Sequence, residues 1–402
     1  MSERKKIAAI VTTYRPHSHA DVIVTKFLKG FPSDEGLLPP RVDVASFYVD
    51  QFPANDLSRR FAKEHGVPIY NSIVEALTLG GKELAVDGVL LIGEHGEYAW
   101  NEKEQHLYPR KYFMEQICGV MATSKRAVPI FNDKHLSYNW HDAKWMYDRA
   151  KALGAPFMAG SSLPTCWRDP WLEHEKETPL AEALAVGYSG IDVYGFHTLE
   201  TLQCMVERRV GGETGVAAVT CLEGDAVWQA ADAGQWPVDL AEAALLHIPD
   251  KPEGGMRAHA TNPALFIVEY RDGFKGYVLM LTGYIKSFGY GARLTSGEVQ
   301  ATHFYLAVEQ PHGHFTYLGL NAEEMFVTGK PSYAVERTLL TTGVLEAVID
   351  SRYQGQVRLE TPHLDVQYTS FDKVPWRPTA PRPLAPTLQP LYDESPSDKD
   401  WW

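Results

Sequence analysis

Residues 7–17 read IAAIVTTYRPH, and this stretch decides the fold of the first half of the chain. A continuous apolar run that starts at Ile7 and ends in small polar residues at Thr13 is typical of a buried parallel strand. Residues 20–31 follow with the apolar spacing of a helix. The chain therefore begins with a strand, a short turn and a helix.

The same alternation continues to residue 160. Further strands are predicted at residues 42–49, 67–70, 86–92, 127–132 and 156–160, and helices at 57–66, 73–79, 108–125 and 141–154. Strands and helices that alternate through short loops favour a parallel, doubly wound sheet. We therefore expect a Rossmann-like α/β domain over residues 1–160.

The pattern changes after residue 160. The sequence predicts a helix over 191–209, a hairpin of strands 266–270 and 274–281, a strand over 300–308, mixed structure over 313–327 and a helix over 335–352. Hairpins with a few helices imply an antiparallel sheet with helices on one face, so residues 161–365 are expected to form an α+β domain. Residues 366–402 are rich in proline and then in acidic residues, which predicts an extended tail without a core of its own.

The composition narrows the class of protein. The chain has 402 residues, enough for two domains, and its net charge of −13 disfavours a nucleic-acid partner. Its four cysteines are widely separated and form no CxxC pair, so neither a zinc knuckle nor a disulfide framework is predicted. The N-terminus does not have the apolar run of a secretory signal, and no stretch is apolar enough to span a membrane. We expect a soluble cytoplasmic protein without a membrane partner.

Three stretches of the chain carry a resemblance to a known family: residues 57–92, Asp133-Lys134-His135 and Gly195-Phe196-His197. The first is similar to the second helix, third strand, third helix and fourth strand of the Gfo/Idh/MocA (glucose–fructose oxidoreductase and inositol dehydrogenase) family. The second falls where that family has a Glu-Lys-Pro loop, and the third where it has Gly-x-His at the start of a helix. The resemblance covers roughly residues 7–365.

This resemblance implies an N-terminal Rossmann domain, a C-terminal domain built on an open, mostly antiparallel sheet, and an active site between them. Most members transfer hydride between a nicotinamide cofactor and a sugar or polyol. Others are redox-neutral or hydrolyse glycosides through a transient oxidation, and a few are non-catalytic sensors. The resemblance thus implies NAD or NADP, a small carbohydrate-like substrate and a homo-oligomer, a dimer or tetramer.

The first turn departs from the family. Its G-x-G-x-x-G/A pattern would fall on Thr12, Tyr14 and His17, so no glycine lets the backbone approach a pyrophosphate. The side chains of Tyr14 and His17 are expected to protrude where phosphates normally lie. Either the cofactor site is changed or abolished, or a wider loop still binds a nucleotide through Thr12, Thr13 and Arg15.

Two further segments are candidates for the cofactor site. Asp50 ends the second strand, where an acidic residue can hold the adenosine ribose, although residues 32–41 insert a loop before it and such a residue is also common in turns. The loop Gly93-Glu94-His95 follows the fourth strand, at the edge where ligands of α/β sheets bind. With nearby histidines it could form an acid–base or divalent-metal cluster, or it could be solvated. If a metal is present, the candidate ligands are His17, His19, Glu94 and His95.

Lys134 and His197 are the candidate acid–base pair. The resemblance places the lysine beside the reacting carbon, where a partly desolvated amine can exchange a proton with a substrate hydroxyl. Asp133 stands in place of the family's glutamate. His197 would act on the same hydroxyl or polarise the carbonyl that forms, and Glu200 lies one helical turn on, where it could orient the imidazole or share a metal with it.

Four more residues are candidates for substrate binding: His135, Trp167, Arg168 and Asp192. His135 replaces the family's proline, and Asp192 is one position away from its aspartate. Arg168 could bind a carboxylate or sugar hydroxyls, or form a surface ion pair.

Three functions are compatible with these residues. The first is an oxidoreductase acting on CH–OH groups of a sugar, polyol or glycoside with a nicotinamide cofactor. The second is a redox-neutral lyase, hydrolase or epimerase on the same scaffold that can use a divalent metal. The third is a ligand sensor that has lost catalysis.

Overall fold

The computed structural model describes residues 4–378, 381 and 389–393. Up to residue 160 its elements are, in chain order, β1 (Lys6–Thr13), α1 (His19–Lys29), β2 (Phe31–Ser33), β3 (Gly36–Leu38), β4 (Asp43–Gln51), α2 (Ser58–His65), β5 (Ile69–Tyr70), α3 (Ile73–Thr78), β6 (Gly88–Ile92), α4 (Arg110–Thr123), β7 (Ile130–Asp133), α5 (Trp140–Leu153) and β8 (Phe157–Gly160).

Six of these strands form the predicted parallel sheet, in the order β5-β4-β1-β6-β7-β8. β1 is buried along almost its whole length, because helices cover both faces of the sheet. Its neighbours β4 and β6 come later in the chain and lie on opposite sides of it, so the strand order reverses there. A doubly wound sheet opens a crevice at the carboxyl ends of such strands. The predicted Rossmann-like sheet is confirmed.

The second domain is built on one mixed sheet. Its elements are β9 (Trp167–Asp169), β10 (Leu180–Gly187), α6 (Phe196–Val206), β11 (Val216–Glu223), α7 (Asp225–Asp232), α8 (Val238–Leu246), α9 (Met256–His259), β12 (Ala264–Tyr270), β13 (Lys275–Met280), β14 (Phe288–Leu294), β15 (Val299–Tyr305), α10 (His314–Thr328), α11 (Glu336–Tyr353) and β16 (Leu359–Glu360). The eight strands lie in the order β16-β11-β12-β13-β10-β14-β15-β9. Only β10 and β13 pair in parallel among the described strands of this sheet, so the mostly antiparallel sheet is confirmed.

Helices cover both faces of this sheet, and the expectation of helices on one face is wrong. Ala183 and Ala185 of β10 face the core shared with α6 and α11. The alternate residues Leu184 and Val186 face a separate core under α7 and α8. Because successive side chains of a strand point to opposite sides, one strand serves both cores.

Two local predictions also change. Residues 313–327, predicted as mixed, lie in α10, which is buried on almost all sides and therefore lacks an amphipathic pattern. Residues 32–41, predicted as a loop, contain the hairpin β2–β3, which packs against α10: Thr316 donates to Pro32 O at 2.6 Å. Phe31 of the hairpin and Leu318 of α10 lie in the same core as Ile7 of β1, so the hairpin and α10 pack together on the parallel sheet.

Described parts of the tail pack on the folded domains. The Tyr392 ring lies 5.4 Å from that of Phe61, and its hydroxyl donates to Asp21 at 2.7 Å. Residues 379–380, 382–388 and 394–402, which belong to the predicted tail, lie outside the described residues. None of the described helices is long and apolar enough to cross a membrane.

Candidate active site

The two predicted acid–base residues meet between the domains. Lys134 follows β7 with a left-handed φ of 68° and is only 1% exposed. His197 is the second residue of α6. Lys134 Nζ lies 3.1 Å from His197 Nε2. One residue from each domain therefore contributes to a single pair at the carboxyl edge of the parallel sheet.

Hydrogen bonds define the protonation of this pair. Besides His197, the Lys134 ammonium donates to Val193 O at 3.0 Å. An ammonium can only donate, so His197 Nε2 accepts and Nδ1 of the neutral ring carries the proton. Nδ1 lies 2.7 Å from Ser161 Oγ, which accepts that proton's hydrogen bond. Burial, together with the charge of Lys134, holds the pKa of His197 well below its usual value, so the imidazole is a neutral base.

A buried ion pair supports Lys134 from the other side. Glu94 Oε1 lies 3.4 Å from Lys134 Nζ, and Glu94 Oε2 forms a salt bridge with Arg110, the first residue of α4. Burial raises the pKa of Glu94, but the charges of Lys134 and Arg110 outweigh it and the pKa lies well below its usual value. Arg110 also lies 3.0 Å from His135 Nε2, so His135 contacts this ion pair. A Cβ at position 93 would lie 2.6 Å from Arg110 Cγ, which explains Gly93.

The role of Arg110 in the site was not predicted from the sequence. A cation in the first turn of a helix lies beside the positive end of the helix dipole, which is unfavourable unless a carboxylate compensates it. The segment Tyr108-Pro109-Arg110 at the predicted start of a helix carried that signal. Glu94 supplies the compensation.

Asp192 lies at the same junction with an unused acceptor. It is 6% exposed, and its Oδ2 accepts the backbone N–H of His106 at 3.0 Å. Its Oδ1 is buried and has no hydrogen-bond partner among the described residues. Burial raises the pKa of Asp192. An unsatisfied buried acceptor costs free energy until a donor reaches it.

Three predicted site residues have structural roles instead. Glu200 is fully buried and accepts from Thr341 Oγ1 at 2.8 Å, so it faces α11 and does not orient His197. Trp167 is 4% exposed and packs edge-on against Tyr317 in the core. Arg168, predicted as a substrate or surface residue, is buried and donates to the backbone of residues 164 and 172. Burial explains all three corrections, because these side chains are sealed within the fold.

The first turn also differs from the expectation. Tyr14 does not protrude into the cleft: it is fully buried between Phe47 of β4 and Phe61 of α2, with its hydroxyl 2.7 Å from Thr25 Oγ1. Thr12 is buried as well, and its hydroxyl donates to the Glu94 carbonyl at 2.8 Å. Neither of these two side chains therefore fills the space at the mouth of the turn.

The four residues that were candidate ligands for a metal each contact different partners. His17 Nδ1 lies 3.3 Å from His312 Nε2, while His19 Nδ1 lies 2.5 Å from Asp133 Oδ2. His95 Nδ1 accepts the backbone N–H of His19 at 3.2 Å, and Glu94 is bound to its two cations. Among the described residues, no group of three or more His, Cys, Asp or Glu side chains could hold a metal ion.

A cavity of about 620 Å³ opens beside the turn, where β1, β4 and β6 end. Asp50 lies at the end of β4, exposed, and accepts hydrogen bonds from Tyr48 at 2.7 Å and Tyr98 at 2.6 Å. The cavity is lined by Thr13, Arg15, Gln51, Phe52, Pro53, Asn55, Gly96 and Glu97.

Solved structures share this architecture. GenD2 from gentamicin A biosynthesis, solved in complex with NAD, aligns with a TM-score of 0.57 and 13% identity over 90% of this chain and 97% of its own. Scyllo-inositol dehydrogenase from Lactobacillus casei, with bound NAD(H) and scyllo-inositol, aligns with a TM-score of 0.54 and 10% identity over 89% of this chain and 99% of its own. Myo-inositol 2-dehydrogenase from Lactobacillus plantarum aligns with a TM-score of 0.53 and 10% identity over the same shares.

The chain has the fold of these three proteins. The predicted resemblance is thus confirmed at the level of the fold. Neither a protein-family model nor a curated protein matches the sequence.

The cleft residues fit the nucleotide cofactor that this fold implies. The cavity lies at the reversal of the strand order, where doubly wound sheets bind nucleotides. It offers a guanidinium at Arg15, a hydroxyl at Thr13 and an amide at Asn55. The buried position of Tyr14 removes its steric objection to a ligand at the turn, and the His17 ring contacts His312.

Proposed function

We propose that the protein is an oxidoreductase that acts on a CH–OH group of a sugar, polyol or glycoside with NAD or NADP. The observation that carries the proposal is the 3.1 Å contact between Lys134 Nζ and His197 Nε2. A cation paired with a neutral base suits removal of a proton from an alcohol. Two proteins that share the fold, one of them a scyllo-inositol dehydrogenase, were solved with bound NAD or NAD(H), and this supports the assignment.

In this proposal the reacting hydroxyl of the substrate replaces the Lys134 N–H at His197 Nε2 and lies beside the ammonium, while a neighbouring substrate hydroxyl donates to the unused Oδ1 of Asp192. His197 Nε2 then accepts the hydroxyl proton, because its pKa leaves it neutral. The Lys134 ammonium stabilises the negative charge that develops on the oxygen. Ser161 keeps the proton on Nδ1, so Nε2 retains the lone pair that accepts the hydroxyl proton once the substrate has displaced the Lys134 N–H.

The nicotinamide cofactor, when bound, would take the hydride from the same carbon. Thr13, Arg15 and Asn55 would hold its nucleotide in the cavity at the end of β1. The buried ion pair of Glu94 and Arg110 holds the Lys134 ammonium in position and separates it from bulk water.

The test is a titration of the purified protein with NAD and NADP, followed by a panel of polyols and sugars with spectrophotometric detection of the reduced cofactor. We expect saturable binding of one dinucleotide and turnover that Lys134→Ala lowers by at least about 100-fold. Lys144→Ala is the matched control and should leave turnover unchanged, since this lysine of α5 is partly exposed and pairs with Asp148. Absence of binding for both dinucleotides would exclude this function and favour a redox-neutral enzyme.

A further inference from the structure

The backbone groups that usually hold a pyrophosphate are already occupied in this protein. At the start of α1, the His19 N–H donates to His95 Nδ1 at 3.2 Å and the Asp21 N–H donates to Ser18 Oγ at 3.3 Å. The His17 N–H donates to Asp21 Oδ2 at 2.9 Å. In a glycine-rich turn such groups point at the ligand; here they are bonded within the chain.

A carboxylate reinforces this arrangement. Asp21 is 2% exposed and lies in the first turn of α1, where it also accepts from Thr25 Oγ1 at 2.9 Å and Tyr392 at 2.7 Å. An acidic residue at this end of a helix compensates the positive end of its dipole. The dipole that attracts phosphate in other nucleotide sites is therefore compensated by the chain itself.

The cation at this turn is a side chain instead. Arg15 lies between β1 and α1, is half-buried, and lines the cavity of about 620 Å³ together with Thr13 and Asn55. The turn fixes the backbone of Arg15, since Ser18 Oγ accepts the Arg15 N–H at 3.1 Å and donates to the Arg15 carbonyl at 2.7 Å. A guanidinium presents N–H donors in a planar fork that matches two phosphate oxygens.

We propose that the Arg15 guanidinium, rather than the backbone of the first turn, binds the diphosphate of the nucleotide, with Thr13 and Asn55 as supporting donors. This inference rests on the proposed nucleotide cofactor. It explains how a turn without glycine serves a dinucleotide: the phosphate lies farther from the backbone, at the reach of a side chain. Affinity for the diphosphate then depends on one side-chain charge.

Isothermal titration with adenosine, ADP and NAD separates this contact from the rest of the site. In the unaltered protein we expect ADP to bind at least about 10-fold more tightly than adenosine, because charge-assisted hydrogen bonds contribute only to ADP. Arg15→Ala should abolish that preference and weaken NAD by about 10- to 100-fold, while adenosine affinity stays within about 2-fold. Arg15→Lys should keep part of the preference for ADP, since a lysine has the same charge but not the planar fork of N–H donors.

Arg59→Ala is the matched control. Arg59 is exposed and its guanidinium lies 3.9 Å from the ring of Phe52, another residue of the cavity wall. An equal loss of ADP preference in Arg59→Ala and Arg15→Ala would indicate a general charge effect and overturn the proposal. So would an unchanged preference in a folded Arg15→Ala protein that still binds NAD, in which case the proposed function stands. If the unaltered protein binds neither ADP nor NAD, both fail.

Discussion

Ser161 is the residue whose role is most sharply defined by a single hydrogen bond. Its hydroxyl oxygen accepts from His197 Nδ1 at 2.7 Å and from the Leu163 N–H at 3.2 Å. Without it the neutral imidazole can move its proton to Nε2, where it would face the ammonium of Lys134. Loss of such an orienting partner typically costs about 10- to 100-fold in activity.

We therefore expect Ser161→Ala to lower kcat by about 10-fold or more while KM changes little, because the substrate contacts remain. Ser161→Thr, which keeps the hydroxyl, should recover part of the loss. The control is Ser162→Ala, since the neighbouring Ser162 is buried but its carbonyl makes the contacts to Thr165. Steady-state kinetics on the best substrate measure all three, and a KM effect without a kcat effect would contradict the assigned role.

Part of the site could be predicted from the sequence, residue by residue. Lys134 and His197 were predicted from local motifs, and the 3.1 Å contact agrees with their pairing. Arg110 and the orienting role of Ser161 were not predicted, because each depends on a distance between segments far apart in the chain. Tyr14 was placed on the wrong side of the turn, since burial between two aromatic rings cannot be deduced from its position in a motif.

At the scale of elements, close packing of α11 depends on one glycine. A Cβ at Gly343 would lie 2.7 Å from Trp140 Cε3 and would also contact Leu364. A Cβ at Gly119 of α4 would meet nothing within 4 Å. Gly343 is therefore tightly packed, whereas Gly119 faces open space.

We expect Gly343→Ala to destabilise the protein by about 1–3 kcal/mol, because the added methyl overpacks the contact between α11 and α5. Gly119→Ala should instead stabilise it by up to about 1 kcal/mol, since alanine has the better helix propensity and open space. Thermal and urea unfolding of both variants measure the difference. Equal effects of the two substitutions on stability would show that α11 does not pack closely against Trp140.

The helices of the first domain and α11 were predicted close to their observed bounds, whereas α10 and the hairpin β2–β3 were not predicted. The helices of the first domain were placed within a few residues because their apolar spacing is visible. α10 was not, because almost every residue of it is buried and the spacing disappears. The hairpin β2–β3 was missed for another reason: each strand has three residues and depends on α10 for packing.

At the scale of the whole molecule, many histidines are buried as neutral rings. Burial lowers the pKa of His95 and His314 to about 3 and that of His174 to about 4. Burial likewise holds the pKa of His135, His197 and His312 well below the usual value. In the unfolded chain each pKa returns to about 6.5. Below that pH the unfolded chain binds protons that the folded protein does not, so stability falls as the pH falls.

The expected result is a free energy of unfolding that drops between about pH 6.5 and 5.5 by up to about 1.4 kcal/mol per pH unit for each histidine fully titrated when unfolded. Buried carboxyls with raised pKa values, such as Asp21 and Glu200, act in the opposite sense, because the folded protein keeps a proton that the unfolded chain has released, so a histidine variant is needed to isolate the histidine contribution. Urea unfolding at several pH values measures how steeply the free energy of unfolding changes with pH. His314→Asn, which can keep the hydrogen bond to the Ala307 carbonyl, should reduce this pH dependence by the contribution of one proton, and an unchanged pH dependence in the variant would contradict a buried neutral His314.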